Sequence, residues 1–161
     1  MSKRVFTQTF GVVGAIIERD GKVLLVKEGA HTKTDVGKWN QPAGWIDVGE
    51  NPAEAVSREV KEETGFDFEL TGMLGVYSLL RKDRTDARGT PHAIKIIFVG
   101  KIGERQTELA GDTIGVKWFA PEEIYAMDLQ TLRDLDIKKE VKDYFAGKRY
   151  PLELLRYTVS K

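Results

Sequence analysis

The apolar positions of this 161-residue chain change their period along its length, and each change marks a predicted element. From Phe10 to Ile17 they run almost unbroken, which predicts a strand buried on both faces. Asp20-Gly21 supplies a turn into a second run, Val23 to Lys27, and the two form a hairpin. A polar segment, Glu28 to Lys38, leads through Trp39-Asn40-Gln41-Pro42-Ala43 to a stretch of helical period between Pro52 and Gly65. Proline fits the first turn of a helix and glycine the left-handed residue after its end, leaving about three turns between them.

Apolar positions then alternate with Gly72 and Gly75 from Phe68 to Leu80, which predicts one long bulged strand or two short ones. A charged loop, Arg81 to Gly89, separates it from His92 to Ile102, whose β-branched and aromatic run predicts a central strand. Gly103 to Gly115 reads as a polar loop, Val116 to Phe119 as a short strand, and Pro121-Glu122-Glu123 as a helix start with acids in its first turn. Leu132, Leu135, Val141, Tyr144 and Phe145 recur at near-helical spacing until Gly147, so the last third is expected to be helical. Leu152, Leu154, Leu155 and Tyr157 form an apolar tail that must dock on its own domain or on a second copy, which leaves a homodimer open. The order predicts an α/β fold, a mixed β-sheet between helical layers in a single domain over 1–161, with a C-terminal helix and tail from about residue 128.

Composition narrows the class. With 41% hydrophobic and 31% charged residues the chain is globular, and Lys+Arg and Asp+Glu balance at 25 each, so no net charge recruits nucleic acid or a membrane surface. The absence of cysteine excludes disulfides, a thiolate zinc site and a cysteine nucleophile, and suits a cytoplasmic protein. Lys3 and Arg4 before an apolar run imitate a signal peptide. Thr7, Gln8 and Thr9 interrupt that run, and Glu18-Arg19-Asp20-Gly21 follows where small residues would be cleaved.

The chemistry gathers on the helix. At about 100° per residue, Ala53, Val56 and Val60 share one stripe and Glu54, Ser57 and Lys61 lie opposite. Glu59, Glu62 and Glu63 project at the edge of the apolar stripe. Like charges one turn apart repel by a few tenths of a kcal/mol on an exposed helix and by more when partly buried, so something positive should offset them. Arg58 is the one cation beside them, and Glu50 competes for it. A hard divalent ion with oxygen ligands, Mg²⁺ or Mn²⁺, is the natural missing charge.

The whole stretch follows the pattern G-x5-E-x7-R-E-U-x-E-E-x-G-U (U apolar), met by Gly44, Glu50, Arg58, Glu59, Val60, Glu62, Glu63, Gly65 and Phe66. Chance would produce these fixed positions with a probability on the order of 1 in 10 million. The pattern resembles the Nudix box of the Nudix hydrolases, with Phe66 where a branched aliphatic is more usual. The resemblance implies an α/β/α sandwich over roughly residues 5 to 127 and a metal-dependent hydrolase that cleaves the pyrophosphate bond of a nucleoside diphosphate derivative or nucleotide by water attack at phosphorus. It implies Glu62 and Glu63 as metal ligands, Glu59 as ligand or water-activating base, the Ala43 carbonyl as a further ligand, Arg58 paired with Glu50, and Gly44 passing close to the metal.

Because family members differ in the general base, Glu104, Glu108 and Asp112 are also candidates. For the small-molecule substrate, Arg81, Lys82, Arg84 and Arg88 could grip phosphates, with Asp83 and Asp86 interleaved, and Trp39 and Trp45 could stack on a base. His31 and His92, each alone, are expected not to be ligands. A proline about 15 residues beyond the box, frequent in ADP-ribose hydrolases of the family, is absent; the first is Pro91. Trp39-Asn40-Gln41-Pro42-Ala43-Gly44 resembles a run found in bacterial Nudix phosphatases acting on nucleoside di- and triphosphates or small pyrophosphates. An isoprenyl-diphosphate isomerase is disfavoured by the missing cysteine, and a non-catalytic nucleotide-binding or regulatory module by the intact carboxylates.

Overall fold

The computed structural model describes residues 11–30, 35–84, 91–109 and 113–160, and of Arg84 the backbone only. Lys3, Arg4, Phe10, His31, Asp86, Arg88 and Asp112 lie outside the described residues. The hairpin forms as expected: β1 (Gly11–Arg19) turns through Asp20 and Gly21, both at positive φ, into β2 (Lys22–Glu28). β3 (Trp39–Asn40) and β4 (Ala43–Trp45) precede α1 (Pro52–Thr64). β5 (Phe66–Leu80), β6 (His92–Arg105), β7 (Thr113–Phe119), α2 (Pro121–Ala126) and α3 (Asp136–Phe145) follow.

The sheet is mixed. β1 runs parallel to β6 and antiparallel to β2 and β4, and the long β5 pairs with β6 antiparallel, with register shifts at Phe66/Phe68, Leu70/Gly72 and Met73/Gly75. β5 is therefore one bulged strand. β1 and β2 are paired only at the hairpin end, Glu18 with Val23 and Arg19 with Lys22. Beyond it they splay, β1 toward β4 and β6, and β2 toward β3 and β7.

Side chains of β1 alternate between two buried layers. Val13, Ala15 and Ile17 face a cluster containing Ala55, Val56 and Val60 of α1, whereas Ile16 joins a cluster built from Ile124 of α2 and Ile137 and Val141 of α3. Helices therefore cover both faces of the sheet. This is the expected α/β/α sandwich. Each fully buried aliphatic side chain here contributes about 1.5–3 kcal/mol relative to exposure. The apolar stripe of α1 is centred on Ala55, Val56 and Val60, with Ala53 only half-buried at its edge.

Two expectations change. Gly103 to Gly115 is not all loop: β6 continues to Arg105 and β7 starts at Thr113, because β5 remains available as a pairing partner down to Phe66, opposite Arg105. The helical spacing that includes Leu132 and Leu135 does not make a helix there, and α3 begins only at Asp136. The Asp128 carboxylate accepts from the amides of Gln130 and Thr131 and from the Thr131 hydroxyl, closing a local turn that competes with helix. Leu132 is buried instead as a bridge partner of Trp39. The tail docks on its own domain, where Tyr150 pairs with Met73 of β5 and Leu152 and Leu155 pack on the α1 side of the sheet. Among the described residues, no helix is long and apolar enough to cross a membrane.

Candidate active site

α1 is held at both ends by its own sequence. Asn51 Oδ1 accepts from the Ala53 amide at 3.0 Å, Pro52 occupies the first turn, and Gly65, at φ 75°, returns its amide to the Lys61 carbonyl at 2.8 Å. Gly65 also accepts from the amides of Gln106 and Thr107, tying the helix end to the chain after β6. β4 pairs with β1, Gly44 opposite Val13, and passes directly beside the helix. A Cβ built on Gly44 would lie 2.1 Å from the Glu59 carboxyl carbon, so only glycine lets the strand approach this closely.

Arg58 organises the carboxylates. Its Nε and Nη2 grip Glu50 at 2.9 and 3.1 Å, Nη1 donates to Glu59 at 2.7 Å and to Glu62 at 3.3 Å, and Nη2 also donates to the Trp45 carbonyl at 3.1 Å. The guanidinium holds the Glu50 carboxyl below the usual carboxylate range, and Glu50 first, then Glu59, hold the guanidinium charged. Burial pushes the Glu59 carboxyl up, and the Arg58 bond only partly offsets it. Burial pushes Glu63 well above the usual range, although the Ala43 amide donates to it at 2.9 Å. The neighbouring carboxylates Glu28 and Glu59 push the same way.

Arg58, Glu59 and Glu63 line a cavity of about 650 Å³. Ala43, Gly44, Trp45, Asp47, Arg58, Glu59, Glu62 and Glu63 form the acidic wall. Glu28, Arg81, His92, Lys95, Arg133 and Asp134 also line the cavity. The cavity lies at the open end of the β1–β2 splay, away from the hairpin. Its oxygen-rich donor set, three carboxylates and a nearby backbone carbonyl, suits a hard divalent cation. Among the described residues, no three such side chains converge on one point as they stand, because Arg58 draws Glu59 and Glu62 while the Ala43 amide draws Glu63. Rotation of the exposed Glu62 side chain, with 53% of its surface accessible, is the least hindered route to convergence.

Of the residues singled out in the sequence, Glu50 and Gly65 frame the helix, and Ala43, Gly44, Trp45, Arg58, Glu59, Glu62, Glu63 and Arg81 reach the cavity wall. Trp39 does not line it. Its ring packs edge-on against Phe119 at 4.9 Å and lies under Lys27 Nζ, 5.6 Å from its centroid, so it anchors β3 to the core. Arg81 is held in ion pairs with Asp83 at 2.9 Å and with Asp134. Glu104 and Glu108 are exposed and do not line the cavity. His92 does, with Ser78 at 2.6 Å from its Nε2.

Several wall residues carried no sequence signal. Arg133 reaches Glu28 at 2.9 Å and Asp35 at 3.4 Å because the segment before α3 hydrogen-bonds both sides of Trp39, whose amide donates to Thr131 and whose carbonyl accepts from Arg133. Lys95 bridges Asp136 at 2.6 Å and Glu140 at 2.7 Å, and Gln41 donates to Glu140. A charged residue buried at the end of an apolar strand, as Glu28 is, was the only available hint.

Comparison with known proteins places this sandwich, with its glutamate-lined helix packed on a glycine strand, in a hydrolase family. The NUDIX domain model matches residues 7–142, and the chain belongs to the Nudix hydrolase family as a pyrophosphohydrolase-type enzyme. It is 35% identical over 147 residues to an ADP-ribose pyrophosphatase of Methanocaldococcus jannaschii, covering 90% of this chain and 78% of that protein. It is 27% identical over 143 residues to the phosphatase NudJ of Escherichia coli, covering 89% of this chain and 88% of the relative. Among solved structures, a Nudix hydrolase from Nitrosomonas europaea superimposes with a TM-score of 0.76 at 35% identity, covering 94% of this chain and 98% of the other.

Proposed function

We propose that this protein is a Mg²⁺- or Mn²⁺-dependent hydrolase that cleaves the phosphoanhydride of a nucleoside diphosphate joined to a second group, with an ADP-ribose-like nucleotide sugar as the substrate class. The observation that carries the reading is the row Glu59, Glu62 and Glu63 facing a cavity of about 650 Å³ beside Gly44. The name of the Methanocaldococcus jannaschii relative supports the substrate class. Glu59, Glu62, Glu63 and the Ala43 carbonyl would hold the ion, which when bound neutralises phosphoryl oxygens. Arg58, fixed by Glu50, orients Glu59 to accept a proton from water. The water oxygen forms the new bond to phosphorus, the bridging oxygen leaves with the other phosphate, and each product carries one phosphate. Trp45, Arg81 and Arg84 would contact the substrate, the exposed Trp45 ring by stacking.

The test is a panel of nucleotide sugars, dinucleotides, nucleoside triphosphates and small pyrophosphates with Mg²⁺ and with Mn²⁺. The expected result is turnover of nucleotide sugars in which orthophosphate appears only after a phosphatase is added. Direct orthophosphate release from nucleoside di- or triphosphates would instead favour a NudJ-like phosphatase, which the run Trp39 to Gly44 also suits. No turnover of any member would favour a non-catalytic nucleotide-binding module. Glu62→Gln and Glu63→Gln are each expected to lower kcat roughly 100- to 1,000-fold with the thermal midpoint retained. Near-wild-type rates in either would overturn the metal assignment.

A further inference from the structure

The segment after α3 is a strap whose far end reaches the catalytic loop. Tyr150 exchanges two backbone hydrogen bonds with Met73 of β5, each 2.8 Å, so the chain crosses the sheet edge in fixed register. A single 3-10 turn, Leu152–Leu154, then carries Leu152 and Leu155 onto the cluster beneath α1. The chain continues extended, and the Tyr157 hydroxyl donates to the Gly49 carbonyl at 2.5 Å, across 108 residues of sequence. The whole strap lies beyond residue 142, where the match to the family model ends.

Gly49 lies in the turn that presents Glu50. The Glu50 amide donates to the Asp47 carbonyl at 3.0 Å, the Asp47 amide donates to Glu50 Oε2 at 3.0 Å, and Gly49 takes a φ of 83° that favours glycine. Glu50 in turn fixes Arg58, which touches Glu59 and Glu62. A bond to Gly49 therefore acts at the root of the network that orients the carboxylates. The turn is otherwise weakly anchored: Asp47, Val48 and Gly49 are exposed, Val48 by 72%.

We propose that Tyr157 is a positioning residue, which holds the Asp47–Glu50 turn through its bond to Gly49 and so sets the Glu50–Arg58 clamp in the geometry that binds the divalent cation. The proposal rests on the metal-dependent reading above. Tyr157→Phe keeps the ring and removes only the hydroxyl. Loss of one such bond corresponds to roughly a two- to tenfold change in an equilibrium.

The test compares full-length wild-type and Tyr157→Phe proteins in two ways. Hydrogen–deuterium exchange on the metal-free proteins should show the amides of Asp47 and Glu50 exchanging about two- to tenfold faster in the variant, with β1 and β6 unchanged. Calorimetric titration with Mn²⁺ should show a dissociation constant raised by about the same factor, while the thermal midpoint moves by no more than about 4 °C. A merely structural role would lower the midpoint without moving Mn²⁺ affinity. Wild-type exchange in the turn, or unchanged Mn²⁺ affinity, would overturn the proposal. A wild-type protein that binds no Mn²⁺ would overturn the functional reading instead, and the exchange comparison would then decide alone whether Tyr157 holds the turn.

Discussion

Replacing Gly44 with alanine would bring a Cβ to 2.1 Å from the Glu59 carboxyl carbon, and the outcome separates stability from catalysis. The clashing atoms are the end of a flexible side chain, so Glu59 can swing away and the fold should persist. Its carboxylate then leaves the Arg58 bond. A displacement of this size at a reacting centre costs on the order of 100-fold, so Gly44→Ala should lose that much in kcat/KM while its urea midpoint stays near wild type. Steady-state kinetics beside an unfolding curve checks both halves. At this scale the contacts of Arg58 with Glu50 and of Gly44 with Glu59 were legible in the sequence, because α1 and its glycine loop are contiguous and their spacing encodes their contacts. Arg133, Glu28 and Lys95 were not legible, because each meets its partner only through chain segments far apart in sequence. Trp39 misled for a related reason: adjacency to the glycine loop said nothing of which face its ring would take, and the ring turned to Phe119.

At the scale of elements, α3 does more than cover the sheet. It buries Glu140 completely, against Lys95, Asp136 and Gln41, and burial raises the Glu140 carboxyl to about 7 with the Lys95 ammonium only partly opposing it. An acid whose folded pKa lies above its unfolded value near 4.5 binds more protons in the native state between those two values. Stability from this group is therefore full below about pH 4.5 and falls as pH rises toward 7. Glu140→Gln should flatten that dependence, which urea unfolding at several pH values between 4.5 and 7.5 would show as a smaller decline than in wild type. The beginning of α3 illustrates what periodicity misses. Leu132 has the spacing of a helix and the burial of a core residue, yet the Asp128 turn sets its backbone, a side-chain preference that hydrophobic pattern does not record. Strand extents erred in the opposite sense, since β6 outran its apolar run as long as β5 offered partners.

For the whole molecule, the sandwich assigns separate duties to its two buried layers. The α1 layer adjoins the carboxylates that line the cavity, whereas the layer of α2 and α3 contains Leu74, 1% exposed, which does not line it. Leu74→Ala should therefore cost about 2–5 kcal/mol of stability, with kcat near wild type at temperatures where the variant is folded. Chemical denaturation and kinetics at low temperature measure the two. The layered α/β plan could be read in advance because strand and helix periods alternate clearly. The docking of the tail could not, since an apolar run states that it must be covered and not by what.

The parallel pairing of β1 with β6 also governs the order in which the molecule can assemble. The hairpin of β1 and β2 needs only neighbouring residues, but Gly11 meets Ile94 across roughly eighty intervening positions. Closing so long a loop carries an entropic cost before any contact repays it, and such pairings form slowly. During synthesis the lining residues His92 and Lys95 emerge only after α1 has been made. The crowded glutamates must then wait, mutually repelling and steadied chiefly by Arg58, until the second half of the sheet arrives to enclose them.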